Sequence, residues 1–486
     1  MQKRLFHPYL FLSIAMVIIS LWLRLFYVDH TPPALHGDEL GVGYNAYTLL
    51  KTGRDEYEKL LPITFRHDFN PVIFYATVPF IFLLGLNEYA TRLPSVVIGI
   101  FIILSIYPIV TLLFHNRKLS LLTMFFLSLS TWHIRTSRLA VEMIWALFFQ
   151  MMALAFFLKG VRSKKTYLVL SFLCFTLSLF SYQSTKMTTP LLVVGLLILY
   201  WNSLRKNIKL VFLLFFLCII LPTVGYFLIR PIQETRFAGI SVFAEWKVSH
   251  FPTFYTLGKM VIDNYLKHFH PSILFLDNST LRYYQTANIG LFYRWQSIFI
   301  IFGLFHSLRN WKRKEYQLLL FWIFLSPLPA SLTTGVPNAN VSRNLMMVPM
   351  VELLCAQGLL FSQQLLRKTK HLYFFVLVSI VSIVGVQLAS FLFSYFVTMP
   401  TTFATFWGEP LKKAILTTRA YENGSDKIII SKASQQSYMY YLFYRNISPE
   451  WFFKQKKERN KGIGYSKIGK YEFVSSLPED TLIHFE

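Results

Sequence analysis

The chain alternates long apolar runs with short basic loops. Its first run, Leu10 to Val28, is long enough to cross a bilayer as a helix, at roughly 20 residues per span. It lacks a small-residue cleavage site and is followed by Thr31-Pro32-Pro33, so it reads as a retained span rather than a removed signal peptide. Further runs predict spans near 94–114, 119–131, 139–158, 167–181, 188–201, 210–229, 293–308, 318–332, 345–365 and 372–397. The pattern therefore predicts a polytopic α-helical membrane protein with about eleven transmembrane helices. Lys3 and Arg4 hold the N-terminus in the cytoplasm, and the chain threads between the basic loops Arg117-Lys118, Arg162 to Lys165, Arg205 to Lys209, Arg309 to Lys314 and Arg367 to Lys370 on that side. Pro71 to Leu84 is apolar too, but as a crossing it would put Arg117-Lys118 outside. It is expected to be a surface-lying or re-entrant helix.

This threading leaves four outer regions: 29–93, 230–292, 333–344 and a tail from about 398. In the tail, Lys427 to Ile430 and Tyr471 to Val474 read as strands, and Gln435 to Tyr444 as an aromatic-rich helix. The expected division is a transmembrane catalytic domain, 1–397, with outer loops 29–93 and 230–292, and a small extracytoplasmic α/β domain, 398–486. No internal repeat stands out.

Composition supports a protein of the cell membrane. The 486 residues are 54% hydrophobic and only 15% charged, with a mean hydropathy of +0.45, whereas soluble domains carry about 25% charged residues. A net charge of +24 would suggest nucleic acid in a soluble protein. Here much of the Lys and Arg sits in short loops, where positive-inside topology and anionic lipid headgroups account for it, and nucleic acid is not expected as a partner. Cys174, Cys218 and Cys355 lie in apolar runs at unrelated spacings, which argues against a disulfide framework and a metal site.

The candidate chemistry gathers at the outer membrane face. Asp38 and Glu39, in His36-Gly37-Asp38-Glu39-Leu40, follow the first span by about ten residues. A carboxylate there can take a proton from an acceptor while the membrane presents a lipid-linked donor. Asp38 precedes an expected helix, Val42 to Leu50, whose N-terminus it would cap, and the neighbouring like charge of Glu39 would raise one pKa of the pair. Asp55-Glu56 reads as a solvated acidic pair. Arg138 and Glu142 lie four apart, on one face if they share a helix, so that Arg138 would orient a second acidic position or form a structural ion pair. Arg92, Lys186 and Arg343 are cations at the same face, and together they suggest a phosphate clamp. Asp38 and Glu39 could bind a divalent cation, although no Asp-x-Asp motif is evident, and metal dependence is left open.

These residues, with Tyr44-Asn45-Ala46-Tyr47, Asn87-Glu88-Tyr89-Ala90-Thr91-Arg92-Leu93-Pro94-Ser95, Trp132-His133, His270-Pro271 to Tyr284, and Pro329-Ala330-Ser331-Leu332, make the chain resemble bacterial glycosyltransferase family 39 over most of residues 30–350. That family is related to the dolichyl-phosphate-mannose protein mannosyltransferases and the lipid A aminoarabinose transferases of the GT-C fold. The resemblance implies an inverting transfer of a sugar from a polyprenyl phosphate to an acceptor outside the cytoplasm: a protein, a glycolipid or an envelope polymer. It implies Asp38 as catalytic base, Glu142 as the second acidic position, and Arg138, Lys186 and Arg343 as members of the lipid-phosphate site. One departure stands out. Where many members carry Lys-Pro-Pro-Leu, this chain has Asn70-Pro71-Val72-Ile73, so the phosphate-contacting lysine is missing and Arg66 or Arg92 is the candidate substitute. The rival readings are a transporter or flippase of a polyprenyl-linked glycan, which should carry charge at mid-span, and a catalytically silent scaffold on the same fold.

Overall fold

The structure, a computed structural model, describes residues 6–66, 69–229, 236–247, 253–276, 289–334, 340–366, 370–430, 436–459 and 464–475. Tyr284 and part of the predicted 333–344 loop lie outside them. The chain divides into two compact units, one formed by 1–26 and 95–399 and the other by 27–94 and 400–486.

The first unit is helical. It contains α1 (Phe6–Leu25), most of α4 (Glu88–Phe114), α5 (Arg117–Leu129), α6 (Thr131–Ser137), α7 (Glu142–Arg162), α8 (Lys165–Leu179), α9 (Thr185–Leu199), α10 (Trp201–Leu228), α11 (Phe254–Lys267), α12 (Gln296–Arg309), α13 (Lys314–Leu325), α14 (Val348–Leu366) and α15 (Lys370–Phe393). A helix stands at each of the eleven predicted spans. Among the described residues, five apolar helical stretches reach the length a bilayer requires: Glu88–Phe114, Glu142–Arg162, Trp201–Leu228, Val341–Leu365 and Val378–Thr402. Those stretches make this a multi-pass membrane protein.

Helices α7 and α8 form a tight hairpin in which the Ser171 hydroxyl donates to the Ala153 carbonyl at 2.8 Å. Helices α12 and α14 approach at backbone distance through Gly303 and Gly358. A Cβ on Gly303 would lie 2.0 Å from the Leu354 carbonyl oxygen, and one on Gly358 would lie 1.8 Å from that of Phe299. Without a hydrophobic driving force between helices in lipid, such small-residue contacts let dispersion hold them together.

The second unit is a composite of the first long loop and the C-terminal tail. From the loop come α2 (Gly37–Thr52), α3 (Val72–Leu84) and the first turns of α4. The tail gives α16 (Glu409–Thr417), α17 (Ser437–Tyr444), α18 (Pro449–Lys454) and strands β1 (Ile428–Ile430), β2 (Lys457–Arg459), β3 (Tyr465–Ile468) and β4 (Tyr471–Phe473). The strands form one sheet in the order β1-β4-β3-β2, with β1 parallel to β4 and the other pairs antiparallel. The tail packs with the loop. Leu35, Leu40 and Tyr44 share a core with Ile415, Ile428, Tyr438, Tyr441, Phe443, Phe452, Tyr465, Tyr471 and Phe473. Helix α3, about 20 Å long at 1.5 Å per residue, falls short of the ~30 Å hydrocarbon thickness. It rests on α2 through Ile81 and Ala46 while Phe82 and Leu83 stay exposed.

Phe452 is fully buried and meets the Tyr44 ring edge-on at 6.2 Å between centroids. Phe452→Ala is expected to cost about 3–5 kcal/mol. In limited proteolysis the loop around residues 53–66 should become cleavable together with the tail. Cleavage of the tail alone would show that the two do not share a core.

Candidate active site

The acidic segment sits at the start of α2, which begins five residues earlier than expected. His36, not Asp38, is the N-cap. Its Nδ1 accepts the Asp38 N–H at 3.4 Å, while the Glu39 carboxylate accepts the His36 N–H at 3.1 Å, closing a capping box. Asp38 lies in the first turn, where the helix N-terminus favours negative charge.

The two acids have different surroundings. Glu39 is buried and bidentate with Arg92, at 3.0 Å to Nε and 3.1 Å to Nη2. Arg92 also donates to the carbonyls of Val28, Pro32 and Ala34, so its five N–H donors are all used. Asp38 is half-buried, and its Oδ1 accepts from Gln436 Nε2 at 3.3 Å.

Arg66 is buried beside the same turn, donating to the Gly37 carbonyl at 3.0 Å and lying 3.1 Å from a Glu56 carboxylate oxygen. That second contact is a close charge pair, not an aligned hydrogen bond. The Tyr438 hydroxyl donates to Glu56 at 2.7 Å, and Asn45 receives the Glu56 N–H at 2.9 Å. Burial pushes the Glu56 carboxyl above its usual range even though Arg66 pulls the other way. Burial also opposes charge on Arg66, but Tyr438, Glu56 and Asp38 around it more than compensate and hold it cationic. The expectation of a solvated Asp55-Glu56 is overturned, since both are essentially inaccessible. Asp55 turns inward to accept the Tyr57 and Lys59 N–H groups at 2.9 Å, and Glu56 is met by Arg66 ten residues on and by the distant Tyr438 hydroxyl.

The Tyr44-Asn45-Ala46-Tyr47 motif has structural work in this cluster. Tyr44 donates to the Ile447 carbonyl, Asn45 bridges Gly41 and Glu56, and Ala46 packs under α3. Glu88 accepts from Tyr444 at 2.5 Å and from Lys412 at 3.1 Å.

The other candidates belong to the first unit. Arg138 and Glu142 do not lie on one helix, as the i, i+4 reading assumed. Arg138 ends α6, residues 139–141 leave the helical path, and Glu142 opens α7. Arg138 is fully buried, donates to the carbonyls of Leu23 and Arg24 at 3.1 and 3.0 Å, and stacks over Phe396 at 4.9 Å. It thereby satisfies carbonyls at the C-terminal end of α1, which a cation complements.

Lys186, in the first turn of α9, donates to Gln183 Oε1 at 2.8 Å and lies 4.2 Å from the Tyr226 ring centroid. Arg343 is half-buried on the 3-10 turn Val341–Met347, and its guanidinium has no carboxylate partner among the described residues. Thr188 reaches Met346 at 3.5 Å, so the start of α9 meets that turn, and α7, which opens with Glu142, packs against it as well. The structure thus brings together the elements carrying Glu142, Lys186 and Arg343, while Arg138 sits on the carbonyls at the C-terminal end of α1. Among the described residues no three His, Cys, Asp or Glu side chains gather as a cation site.

Sequence reading missed two buried polar groups in this unit. Arg24, within the first span, donates to Ser128 and pairs with His133 Nδ1 at 2.9 Å. Glu352, within α14, accepts from Gln296 at 2.6 Å. Charge inside an apolar run was the available signal.

The helical unit with its five apolar stretches has a fold similar to that of the GT-C membrane glycosyltransferases. Residues 68–226 match the dolichyl-phosphate-mannose-protein mannosyltransferase family. The apo crystal structure of ArnT from Cupriavidus metallidurans superimposes with a TM-score of 0.54 at 13% identity, covering 90% of this chain and 84% of that one. The same protein bound to undecaprenyl phosphate gives a TM-score of 0.47 at 14% identity, over 74% of this chain and 60% of that one. An Archaeoglobus fulgidus oligosaccharyltransferase tethered with an acceptor peptide gives 0.49 at 12%, over 90% and 63%. No curated protein sequence matches. The resemblance read from the sequence is borne out at the level of fold and family match.

Arg92→Ala would leave Glu39 buried and unpaired, a change that typically costs about 3–5 kcal/mol. Thermal unfolding of the detergent-purified protein should show a large loss of stability. Arg92→Met combined with Glu39→Leu should lose markedly less. Equal losses would show that the ion pair is not the source.

Proposed function

We propose that this chain is a cell-membrane glycosyltransferase that moves a sugar from a polyprenyl-phosphate donor to an acceptor hydroxyl on the extracytoplasmic side. The observation that carries this reading is Asp38, a carboxylate in the first turn of α2, held by Gln436 and left partly accessible while its neighbour Glu39 is sealed against Arg92. The match over 68–226 to a family defined by a polyprenyl-phosphate sugar supports the donor class. The N-terminus is read as cytoplasmic from Lys3 and Arg4.

The reaction is a single inverting displacement. The acceptor oxygen attacks the anomeric carbon and gives its proton to an Asp38 carboxylate oxygen. The bond from that carbon to the phosphate oxygen breaks, and the lipid phosphate leaves with the electron pair. In this reading Lys186 and Arg343 take the leaving phosphate, since cationic donors hold phosphoryl oxygens with charge-assisted hydrogen bonds. Glu142 is read as a companion to those two cations. Arg66, Arg92 and Glu39 are read as supports of the Asp38 turn rather than as donor contacts, because each is buried and lies against a buried charge partner. Arg138 is read as a fixture of the α1 terminus.

Asp38→Asn should lower transfer by about 10²–10⁴-fold with the protein still folded and inserted, as loss of a positioned general base does. The assay is release of label from polyprenyl-phosphate mannose, glucose and aminoarabinose offered in turn with an envelope fraction as acceptor. Near-normal turnover would reject Asp38 as base. Lys186→Met should raise the donor KM by roughly tenfold with a smaller effect on kcat, and an unchanged donor KM would remove Lys186 from the phosphate site.

A further inference from the structure

The carboxylate read as the base is touched by a residue from the far end of the chain. Gln436 stands immediately before α17, in the aromatic core of the tail, and its Nε2 is 3.3 Å from Asp38 Oδ1 although 398 positions separate them. The contact is tight on both sides. Gly37 leaves no room for a side chain there, since a Cβ would fall 1.8 Å from Gln436 Oε1. A glycine at this first helical position makes space for an incoming amide. Gln436 is itself held in place, because α17 is buried between the sheet and α2 with Tyr438, Tyr441 and Phe443 in the shared core.

We propose that Gln436 is a positioning residue for Asp38, so that the C-terminal domain completes the acceptor-activating site. The inference rests on the reading of Asp38 as the base. The amide donates to one carboxylate oxygen and fixes the plane of the group. Among the described residues the other charged and titratable groups around the turn include the cap His36, Glu39 on α2, Arg66 with Glu56 and Tyr438 behind it, and Arg92 and Tyr440 beside Glu39. Gln436 differs from these in being an uncharged donor aimed at Asp38.

The test is carbodiimide labelling of residue 38 in the full-length protein, followed by mass spectrometry across the carboxyl titration range, since the reagent captures the protonated acid. A hydrogen bond to the charged form favours it. Gln436→Leu should therefore move the labelling midpoint up by roughly half a pH unit to one unit, and Gln436→Lys, which substitutes a cation, should move it down by a similar amount. Gly37→Ala, which displaces the amide from the opposite side, should follow Gln436→Leu. A role limited to folding would move the Leu and Lys variants the same way or not at all, and either result overturns the proposal. The acid limb of sugar transfer should shift with the labelling. If labelling shifts as expected while Asp38→Asn still turns over normally, the positioning contact stands and the assignment of Asp38 as base fails.

Discussion

The buried pair of Arg92 and Glu39 is the joint on which the acidic turn depends. One guanidinium gathers both oxygens of Glu39 and three carbonyls of the 28–34 segment, so it fixes at once the path of that segment and how α2 begins. Only a planar fork with five donors satisfies that set; a lysine could not. Such a pair need not stabilise the protein relative to an apolar replacement, because removing both charges from water offsets much of their attraction. Its effect is specificity. With Glu39 locked and its second oxygen accepting the His36 N–H, the first turn of α2 has one register, and Asp38 has one place to point.

A second layer supports that turn from the tail. Glu56, Arg66 and Tyr438 form a chain of buried polar contacts ending on the Gly37 carbonyl, while Leu35 N–H, Tyr444 and Glu88 form another. Tyrosine suits this core because each ring buries a large apolar area and its hydroxyl still finds an acceptor. The tail is therefore part of the scaffold of the acidic segment rather than an independent appendage. That explains why a chain with a small four-stranded sheet keeps so many tyrosines on one short helix.

The membrane helices were legible because hydropathy and length speak locally, and a helix stands at every predicted span. Strands β1 and β4 and helix α17 were legible for the same reason: β-branched and aromatic runs bounded by polar residues. Strand β2, Lys457–Arg459, was not, since an edge strand of Lys, Glu and Arg carries no apolar alternation. The site was legible only in part. Asp38 could be singled out from its place after the first span, but the burial of Glu56 could not, because its partner Tyr438 lies 382 positions away. Arg138 and Glu142 failed as a helical pair because Val141 adopts an extended backbone, with φ −128° and ψ 146°, which neither spacing nor composition announces.

In the proposed reaction the two adjacent carboxylates, with such different surroundings, divide structure and chemistry between them. Successive helix residues point about 100° apart, so a single turn can send Glu39 into the protein and leave Asp38 at its edge. The sealed member supplies structure, since an acid bound bidentately to arginine has no free oxygen pair to offer an acceptor. The edge member retains access, with one oxygen held by a neutral amide that orients it without cancelling its charge. A cation in that position would bind the carboxylate more tightly and weaken it as a base, because proton affinity falls as the charged form is stabilised. In the proposed reaction a neutral donor fixes the Asp38 carboxylate, while Arg66 places its hydrogen bond on the Gly37 carbonyl and its close charge contact on Glu56.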